Sequence, residues 1–234
     1  MGRVLLEVVA GSVDEALAAE DAGADRIELC SALPVGGLTP SLGLAERVVS
    51  AVNIPVVVML RGREGGFSIS DAEFDTMISD LAHLRGVGIA GLVFAVLTPA
   101  GELDQGRCRS LVEAAGSAQT VFHRAFDGMS SRLEVLEALI EIGFTRLLTS
   151  GGAKTAPEGA AEIAELVKRA AGRIEILPGG GVRPANVRSL IAQTGVDQVH
   201  FSARNFGAAG YDGFPNPFLN ASLVSEMRMA TEAV

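Results

Sequence analysis

The chain has 234 residues, of which 48% are hydrophobic and 20% are charged. This much apolar material predicts a single domain, residues 1–234, built around one large core. The formal net charge of −9 argues against nucleic acid or an anionic membrane as a general partner. No apolar run approaches the roughly 18 residues of a membrane span, so none is predicted.

Cysteine usage predicts the compartment. Only two cysteines occur, Cys30 and Cys108, far apart and without CxxC spacing. A disulfide framework is therefore not expected, and a reducing cytoplasm is the predicted location. The first residues also lack the apolar run and the cleavage site of a signal peptide.

Eight short apolar or β-branched runs alternate with longer Ala- and Leu-rich stretches. They start roughly 20 to 35 residues apart, which is close to the length of one βα unit. The runs are VLLEVV (4–9), DRIELC (25–30), IPVVVMLR (54–61), GLVFAVL (91–97), TVFHRAFD (120–127), TRLLTSG (145–151), RIEILPGG (173–180) and QVHFSAR (198–204).

Helical patterns lie between these runs. In SVDEALAAEDAG, Ser12 is the predicted N-cap, Glu15 completes a capping box and Gly23 ends the helix. Apolar residues at a spacing of three to four predict further helices, each closed by a glycine, at 131–143 and 156–172.

Near-continuous apolar strands, each followed by a helix, predict a parallel sheet covered by helices. Eight units fit an α/β fold of the (β/α)8 TIM-barrel type over about 4–204. The Gly-, Asn- and Pro-rich segment 205–220 is predicted to be a loop before a last helix, within 205–234. A doubly wound open sheet is the alternative, but GxGxxG is absent after the first two strands.

Polar residues cluster at the predicted C-terminal ends of the strands, where such barrels place their sites. Strand alternation directs Glu7 inward and places Glu28 with Cys30, His123 with Asp127, and His200 with Ser202 on shared faces. Side chains able to act as acid or base are the candidate catalytic residues, namely Glu7, Glu28, His123, Asp127 and His200.

Arginines near the same opening of an acidic protein predict a small anionic ligand. Glycines after the seventh strand let a phosphate approach backbone N–H groups, as in the usual phosphate site of such barrels. The candidate substrate-binding residues are Arg61, Arg63, Arg124, Thr149, Ser150, Gly179, Gly180, Gly181, Ser202 and Arg204.

At these residues the chain resembles a known family. The stretch ADRIELCSALPVGGLTPS (24–41) is similar to the family pattern G-A-D-R-[IV]-E-L-C followed by G-G-x-T-P-S, and further matches occur in the same order at FHRAFD (122–127), LTSG (148–151), PGGGV (178–182) and HFSAR (200–204). This is the CutC family. The resemblance implies a (β/α)8 barrel, a cytoplasmic location, self-association as a dimer or tetramer, and a role in copper homeostasis with Cu(I) binding.

One segment departs from the family pattern. The family reads roughly R-P-R-G-G-D-F-x-Y-S where this chain has RGREGGFSIS (61–70). Gly62 replaces the proline, Gly66 the aspartate and Ile69 the tyrosine. A ligand contact made through that aspartate or tyrosine is therefore not carried over to this chain.

Three functions remain open. Cu(I) prefers soft sulfur ligands, so Cys30 is its candidate ligand, with Met59 conceivable and Cys108 expected to face away. The second is a lyase or isomerase acting by acid–base chemistry on a phosphorylated or carboxylated metabolite; the two lysines, Lys154 and Lys168, offer little support for a Schiff base. The third is a non-catalytic scaffold. A divalent metal site is weaker, because the same carboxylates and histidines could pair with arginines.

Overall fold

The computed structural model describes the backbone of residues 2–209 and 215–232, and the side chains of 2–204 and 218–232. Eight parallel strands form one sheet. They are β1 (Leu5–Ala10), β2 (Arg26–Leu29), β3 (Val56–Met59), β4 (Gly91–Phe94), β5 (Gln119–Phe122), β6 (Arg146–Thr149), β7 (Glu175–Pro178) and β8 (Gln198–Phe201).

The sheet curls into a barrel. The strand order is β7-β6-β5-β4-β3-β2-β1-β8, and a parallel bridge between Gly179 and His200 joins its two ends. At the centre of β1, Glu7 is paired with Arg26 on one side and with His200 on the other. The predicted (β/α)8 barrel is confirmed, and the open doubly wound sheet is excluded.

Strand alternation divides the apolar residues into two cores, where the composition predicted one large core. Residues such as Leu6, Val8 and Ile27 face outward and join the large core beneath the helices. The opposite faces of the strands fill the barrel interior with a smaller cluster of Val9, Cys30, Val57, Met59, Val93, Val121, Leu148 and Leu177. Polar side chains of the same inward parity must find partners within this narrow space.

Helices cover the outside of the barrel. They are α1 (Val13–Asp21), α2 (Leu42–Ala51), α3 (Asp71–Val87), α4 (Gln105–Ala115), α5 (Arg132–Ile142), α6 (Ala160–Ala170), α7 (Pro184–Thr194) and α8 (Ala221–Glu232). Among the residues described, none of the helices combines the length and the apolar composition that crossing a membrane would require.

The predicted start of α1 is partly correct. The Ser12 side chain caps the helix by accepting the backbone N–H of Glu15 at 3.2 Å. The expected capping box is wrong, because the Glu15 carboxylate instead accepts the N–H of Gly11 at 2.7 Å and pairs with Arg204. A distant arginine thus competes successfully with the local backbone for this carboxylate.

The segment TVFHRAFD is not one strand. β5 ends at Phe122, and Arg124–Gly128 forms a short 3-10 helix. His123 begins this turn, since its Nδ1 accepts the backbone N–H of Ala125 at 3.1 Å. Asp127 therefore leaves the strand, and the prediction that it shares a strand face with His123 is wrong.

The predicted loop at 205–220 is also corrected. β9 (Arg204–Ala209) and β10 (Pro215–Leu219) pair as an antiparallel hairpin with a register shift between Pro215 and Pro217. Proline has no N–H to donate to a ladder, and in sheets it is found at edges and irregular positions. The central part of the predicted loop, 210–214, lies outside the described residues.

The C-terminal helix α8 is held by one buried arginine. The Arg228 guanidinium donates to the carbonyls of Val4 and Gly23, each at 2.8 Å, and pairs with Asp25. Asp25 in turn accepts the backbone N–H of Leu6 at 2.8 Å. One side chain thus joins α8 to the residue before β1 and to the turn before β2.

We expect Arg228→Ala to lower the free energy of unfolding by about 3 kcal/mol, because it leaves buried carbonyls and Asp25 without their donor. Urea denaturation followed by circular dichroism measures this. Arg188→Ala is the matched control on α7, where the arginine is exposed. Equal effects of the two substitutions would contradict the docking role of Arg228.

Candidate active site at the mouth of the barrel

A cavity of about 390 Å³ opens at the C-terminal ends of the strands. It brings together five of the predicted catalytic or binding residues with charged or ionisable side chains, which are Glu28, His123, Arg124, His200 and Arg204. Ser202 also lines it, and apolar walls come from Val9, Leu33, Pro34, Met59, Phe67, Ala125 and Leu148. Apolar walls with a few convergent polar groups are typical of small-molecule sites.

Glu7 lies beneath the cavity and has partners on both carboxylate oxygens. Oε2 accepts from the Arg26 guanidinium, and Oε1 lies 2.8 Å from Nδ1 of His200. Burial raises the pKa of Glu7, but the hydrogen bond with His200 and the charge of Arg26 outweigh it and lower the pKa to about 2. Glu7 is therefore a permanent anion that orients His200.

Glu28 faces the same histidine from the other side and is poorly satisfied. Its Oε2 lies 3.9 Å from Nε2 of His200 and 3.5 Å from Sγ of Cys30. Its Oε1 is buried without a hydrogen-bond partner in the structure. Burial is the main cause of the raised pKa of Glu28. A carboxyl that binds protons more tightly than usual therefore borders the cavity.

His200 lies between the two carboxylates. Burial lowers its pKa, but the charge of Glu28 and the hydrogen bond with Glu7 outweigh this, so the pKa is raised. The pKa values of Glu28 and His200 are thus both raised, and the two groups face each other across the floor of the cavity. This pair is the natural place for a transferable proton.

His123 occupies the opposite wall and is neutral. Burial, followed by the charge of Arg61, lowers its pKa to about 4. Because Nδ1 accepts the N–H of Ala125, the proton of the neutral ring is on Nε2. The ring lies 4.6 Å from that of Phe67, centroid to centroid. His123 therefore presents an N–H donor rather than a base.

The carboxylate of Asp127 is fully occupied by hydrogen bonds from neighbouring residues. It accepts the backbone N–H groups of Ser150 and Gly152 at 3.0 and 3.1 Å, and the hydroxyls of Thr149 and Ser150. The Nε of Arg124 donates to it at 2.9 Å. The structure therefore supports neither Asp127 as an acid or base nor Thr149 and Ser150 as ligand contacts, since these three groups satisfy one another. They instead fix the position of Arg124.

The four predicted arginines divide between two places. Arg124 and Arg204 line the mouth cavity. Arg61 donates to the carbonyls of Val35, Gly37 and Gly65, and Arg63 pairs with Glu73. Arg61 and Arg63 line a second cavity of about 250 Å³, together with three of the positions that differ from the family pattern, Gly62, Gly66 and Ile69. Arg61 and Arg63 therefore do not line the mouth cavity itself, although Phe67 lines both cavities.

The glycines after β7 allow close packing. A Cβ on Gly179 would lie 2.6 Å from Cδ1 of Leu148, and one on Gly180 would lie 2.8 Å from Nη1 of Arg124. A Cβ on Gly181 would lie 2.8 Å from Thr155. Gly180 thus lets Arg124 approach the backbone next to the cavity, and phosphate contact by these glycines stays a prediction.

The sulfur groups are buried and separate. Cys30 belongs to the interior cluster, whereas Cys108 packs in the outer core, so they face away from each other as predicted. Burial and the charge of Glu28 raise the pKa of the Cys30 thiol well above its usual value. Both lysines, Lys154 and Lys168, are exposed, which does not fit a buried Schiff-base lysine.

Groups that bind metals do meet in the described part of the chain. Ligand atoms of Glu7, Glu28 and His200 all lie within 4.8 Å of one another. These donors are carboxylates and an imidazole, whereas Cu(I) prefers sulfur. With one protonated thiol and the thioether of Met59 nearby, the residues around Cys30 do not fit a tight Cu(I) site.

The polar residues at the opposite ends of the strands escaped the sequence prediction. Arg26, Gln198, Glu175 and Arg146 form a hydrogen-bonded chain, with contacts of 2.8 Å from Arg26 to Gln198, 3.2 Å from Gln198 to Glu175 and 2.7 Å from Arg146 to Glu175. Arg26 shares the strand parity of Glu28, so alternation alone could have placed it inside. It matters to the site because it holds Glu7.

The fold and the cavity define a (β/α)8-barrel protein with a cavity lined by charged side chains at the C-terminal ends of its strands. Comparison with known proteins identifies the family to which the chain belongs. The CutC family model matches residues 4–205, so the chain belongs to the CutC family, as the resemblance implied.

Individual relatives agree. A CutC family protein of Treponema denticola is 49% identical over 203 residues, covering 87% of this chain and 82% of the relative. The human copper homeostasis protein cutC homolog is 43% identical, covering 88% of this chain and 76% of the relative. The crystal structure of CutC from Streptococcus agalactiae superposes with a TM-score of 0.81 at 33% identity, covering 85% of this chain and 98% of that one.

Removing the charge of each buried glutamate should change the free energy of unfolding in opposite directions. Ionised Glu28 destabilises the fold as the pH rises through its raised pKa, whereas ionised Glu7 stabilises it at every pH well above about 2. We therefore expect Glu28→Gln to stabilise the protein at pH 8 but not at pH 4. Glu7→Gln should cost about 3 kcal/mol at pH 8, because Arg26 loses its partner.

Urea denaturation of both variants at the two pH values measures this. Equal destabilisation by the two substitutions at pH 8 would contradict the assignment of Glu28 as the strained carboxylate.

Proposed function

We propose that the chain binds a small phosphorylated or carboxylated metabolite at the mouth of the barrel and acts on it by proton transfer, as a lyase or isomerase. The observation that carries this proposal is the composition of one cavity. It holds two guanidinium groups, Arg124 and Arg204, together with the Glu28–His200 pair. Cations that bind an anion next to a group able to exchange a proton are the minimum that such chemistry needs.

Arg124 and His123 are the proposed anchors. Arg124 is held by Asp127 and, through Nη2, by the hydroxyl of Ser150 at 2.9 Å. A guanidinium fixed in this way loses little freedom when it binds a carboxylate or phosphate. The Nε2–H of neutral His123 would donate to a carbonyl or phosphate oxygen and polarise it.

Glu28 and His200 are the proposed acid–base pair. The pKa values of both groups are raised. The pKa of Glu28 is therefore closer to neutral pH than that of an ordinary glutamate, which favours proton exchange. Glu7 is assigned a positioning role, since its hydrogen bond fixes the ring of His200. The apolar walls, among them Val9, Met59 and Leu148, would exclude water from the reacting group.

Inorganic phosphate and pyrophosphate are simple probes of the anion site. We expect both to raise the melting temperature of the wild-type protein in a thermal shift assay, because they bind the folded state alone. Arg124→Gln should weaken the response roughly tenfold or more in apparent affinity, since a charge-assisted hydrogen bond is lost.

Arg63→Gln is the matched control, because Arg63 pairs with Glu73 and does not line the mouth cavity. It should retain the wild-type response. A response that is the same in both variants, or lost only in Arg63→Gln, would contradict the proposed anion site.

Copper binding is the second candidate, because the human relative carries the name of a copper homeostasis protein and the sulfur-bearing residues Cys30 and Met59 share the interior cluster. Against it stand the single thiol and its raised pKa. We expect competition with a calibrated Cu(I) chelator to show only weak binding that Cys30→Ala leaves unchanged. Stoichiometric tight binding that disappears in Cys30→Ala would contradict this expectation and make copper the cargo of the site.

Location and assembly stay predictions. Both cysteines are free and buried, in accord with a reducing cytoplasm. Self-association as a dimer or tetramer is proposed from the family resemblance alone.

A further inference from the structure

Three metal-binding side chains converge on the floor of the mouth cavity from neighbouring strands. Glu7 is on β1, Glu28 on β2 and His200 on β8, and β1 lies between the other two in the sheet. Their ligand atoms lie within 4.8 Å of one another. Proximity alone is weak evidence, so the partners of each atom decide what the group can hold.

Glu7 is not free to be a direct ligand. One of its oxygens is bound by Arg26, and the other by Nδ1 of His200 at 2.8 Å. In metal sites, a ligating histidine usually donates its second ring N–H to a carboxylate in this way, which fixes the ring and makes the other nitrogen a better ligand. Glu7 fits this orienting role, and it leaves Nε2 of His200 available.

Glu28 supplies an independent indication. The residue is only 4% exposed, it borders the cavity, and its Oε1 has no hydrogen-bond partner. Its Oε2 lies 3.9 Å from Nε2 of His200, which is too far for a hydrogen bond. Tetrahedral bonds of about 2.0–2.2 Å place two ligand atoms about 3.4 Å apart, so a shift of roughly half an ångström would bring both atoms onto one ion.

We propose that Glu28 and His200 bind a divalent cation of the Zn²⁺ type, with Glu7 as the outer-sphere residue that orients His200. A mixed carboxylate–imidazole set suits such ions and does not suit Cu(I). Arg124 and Arg204 line the same cavity as Glu28 and His200. The inference rests on the anion binding of the proposed function and changes the role of Glu28 and His200 from acid–base pair to cation ligands, and the cation would be a third positive group facing the anionic ligand.

Zn²⁺ binding to chelator-treated protein, measured by calorimetry without any organic ligand, tests the site. We expect one Zn²⁺ per chain, and Co²⁺ should show the visible absorption of a bound ion that Zn²⁺ displaces. Glu28→Gln should weaken Zn²⁺ binding at least a hundredfold, and Glu7→Gln about ten- to a hundredfold. Glu73→Gln is the control and should bind like wild type, because Glu73 pairs with Arg63 and does not line the mouth cavity.

No stoichiometric Zn²⁺ binding by the wild type, or equal binding by Glu28→Gln, overturns the proposal. Loss of binding in Glu73→Gln also overturns it, because the ion would then bind outside the mouth cavity. The phosphate thermal shift, repeated with chelator present, separates the two proposals. A phosphate response without Zn²⁺ binding contradicts only the proposed cation site. Zn²⁺ binding without a phosphate response contradicts only the proposed function.

Discussion

The buried ion pair between Glu7 and Arg26 is the interaction on which the interior of this barrel depends. A carboxylate at the centre of an apolar barrel would be too costly to leave ionised without a partner. Arg26 meets that cost, and the ionised Glu7 can then hold His200 at the floor of the cavity. The geometry of the mouth therefore depends on an ion pair whose two residues do not line the cavity.

Arg26 is itself supported from below. Gln198 accepts from it and also donates to Glu175, which pairs with Arg146. These side chains come from strands on both sides of the β7–β8 junction, where the barrel is closed by a single bridge. A polar layer that crosses this junction ties together strands with little backbone pairing. It also makes the site rigid, because ligand-binding groups are most exact when buried neighbours fix them.

Strand parity explains which features the sequence could predict. Glu7, Glu28 and His200 were placed inside because alternation is a local property of each strand. Asp127 was misplaced because its backbone leaves the strand at a turn that His123 caps, and this depends on a hydrogen bond rather than on a pattern. The capping box predicted for Glu15 does not form for a different reason, because Glu15 pairs with Arg204, which is far away in the sequence.

The same distinction governs the arginines. Arg124 and Arg61 each lie two residues after the end of a strand, so sequence position alone does not tell which of them lines the mouth cavity. Arg61 and Arg63 lie in a loop whose carbonyl groups and Glu73 bind them, and no periodicity reports which way a loop side chain turns. Long flexible side chains after the end of a strand are therefore the least predictable part of the candidate site.

Two carboxylates near the mouth show how stability and function are divided. Asp127 accepts five hydrogen-bond donors, whereas Glu28 has one oxygen with none. A buried acceptor without a partner costs about 1–3 kcal/mol, which a protein stable by only about 5–15 kcal/mol can ill spare. Gln at this position would avoid the charge, and an apolar residue would avoid the polar atom. Glu28 therefore lowers the stability of the fold where it stands, and its unpartnered oxygen lies beside a cavity that Arg124 and Arg204 line.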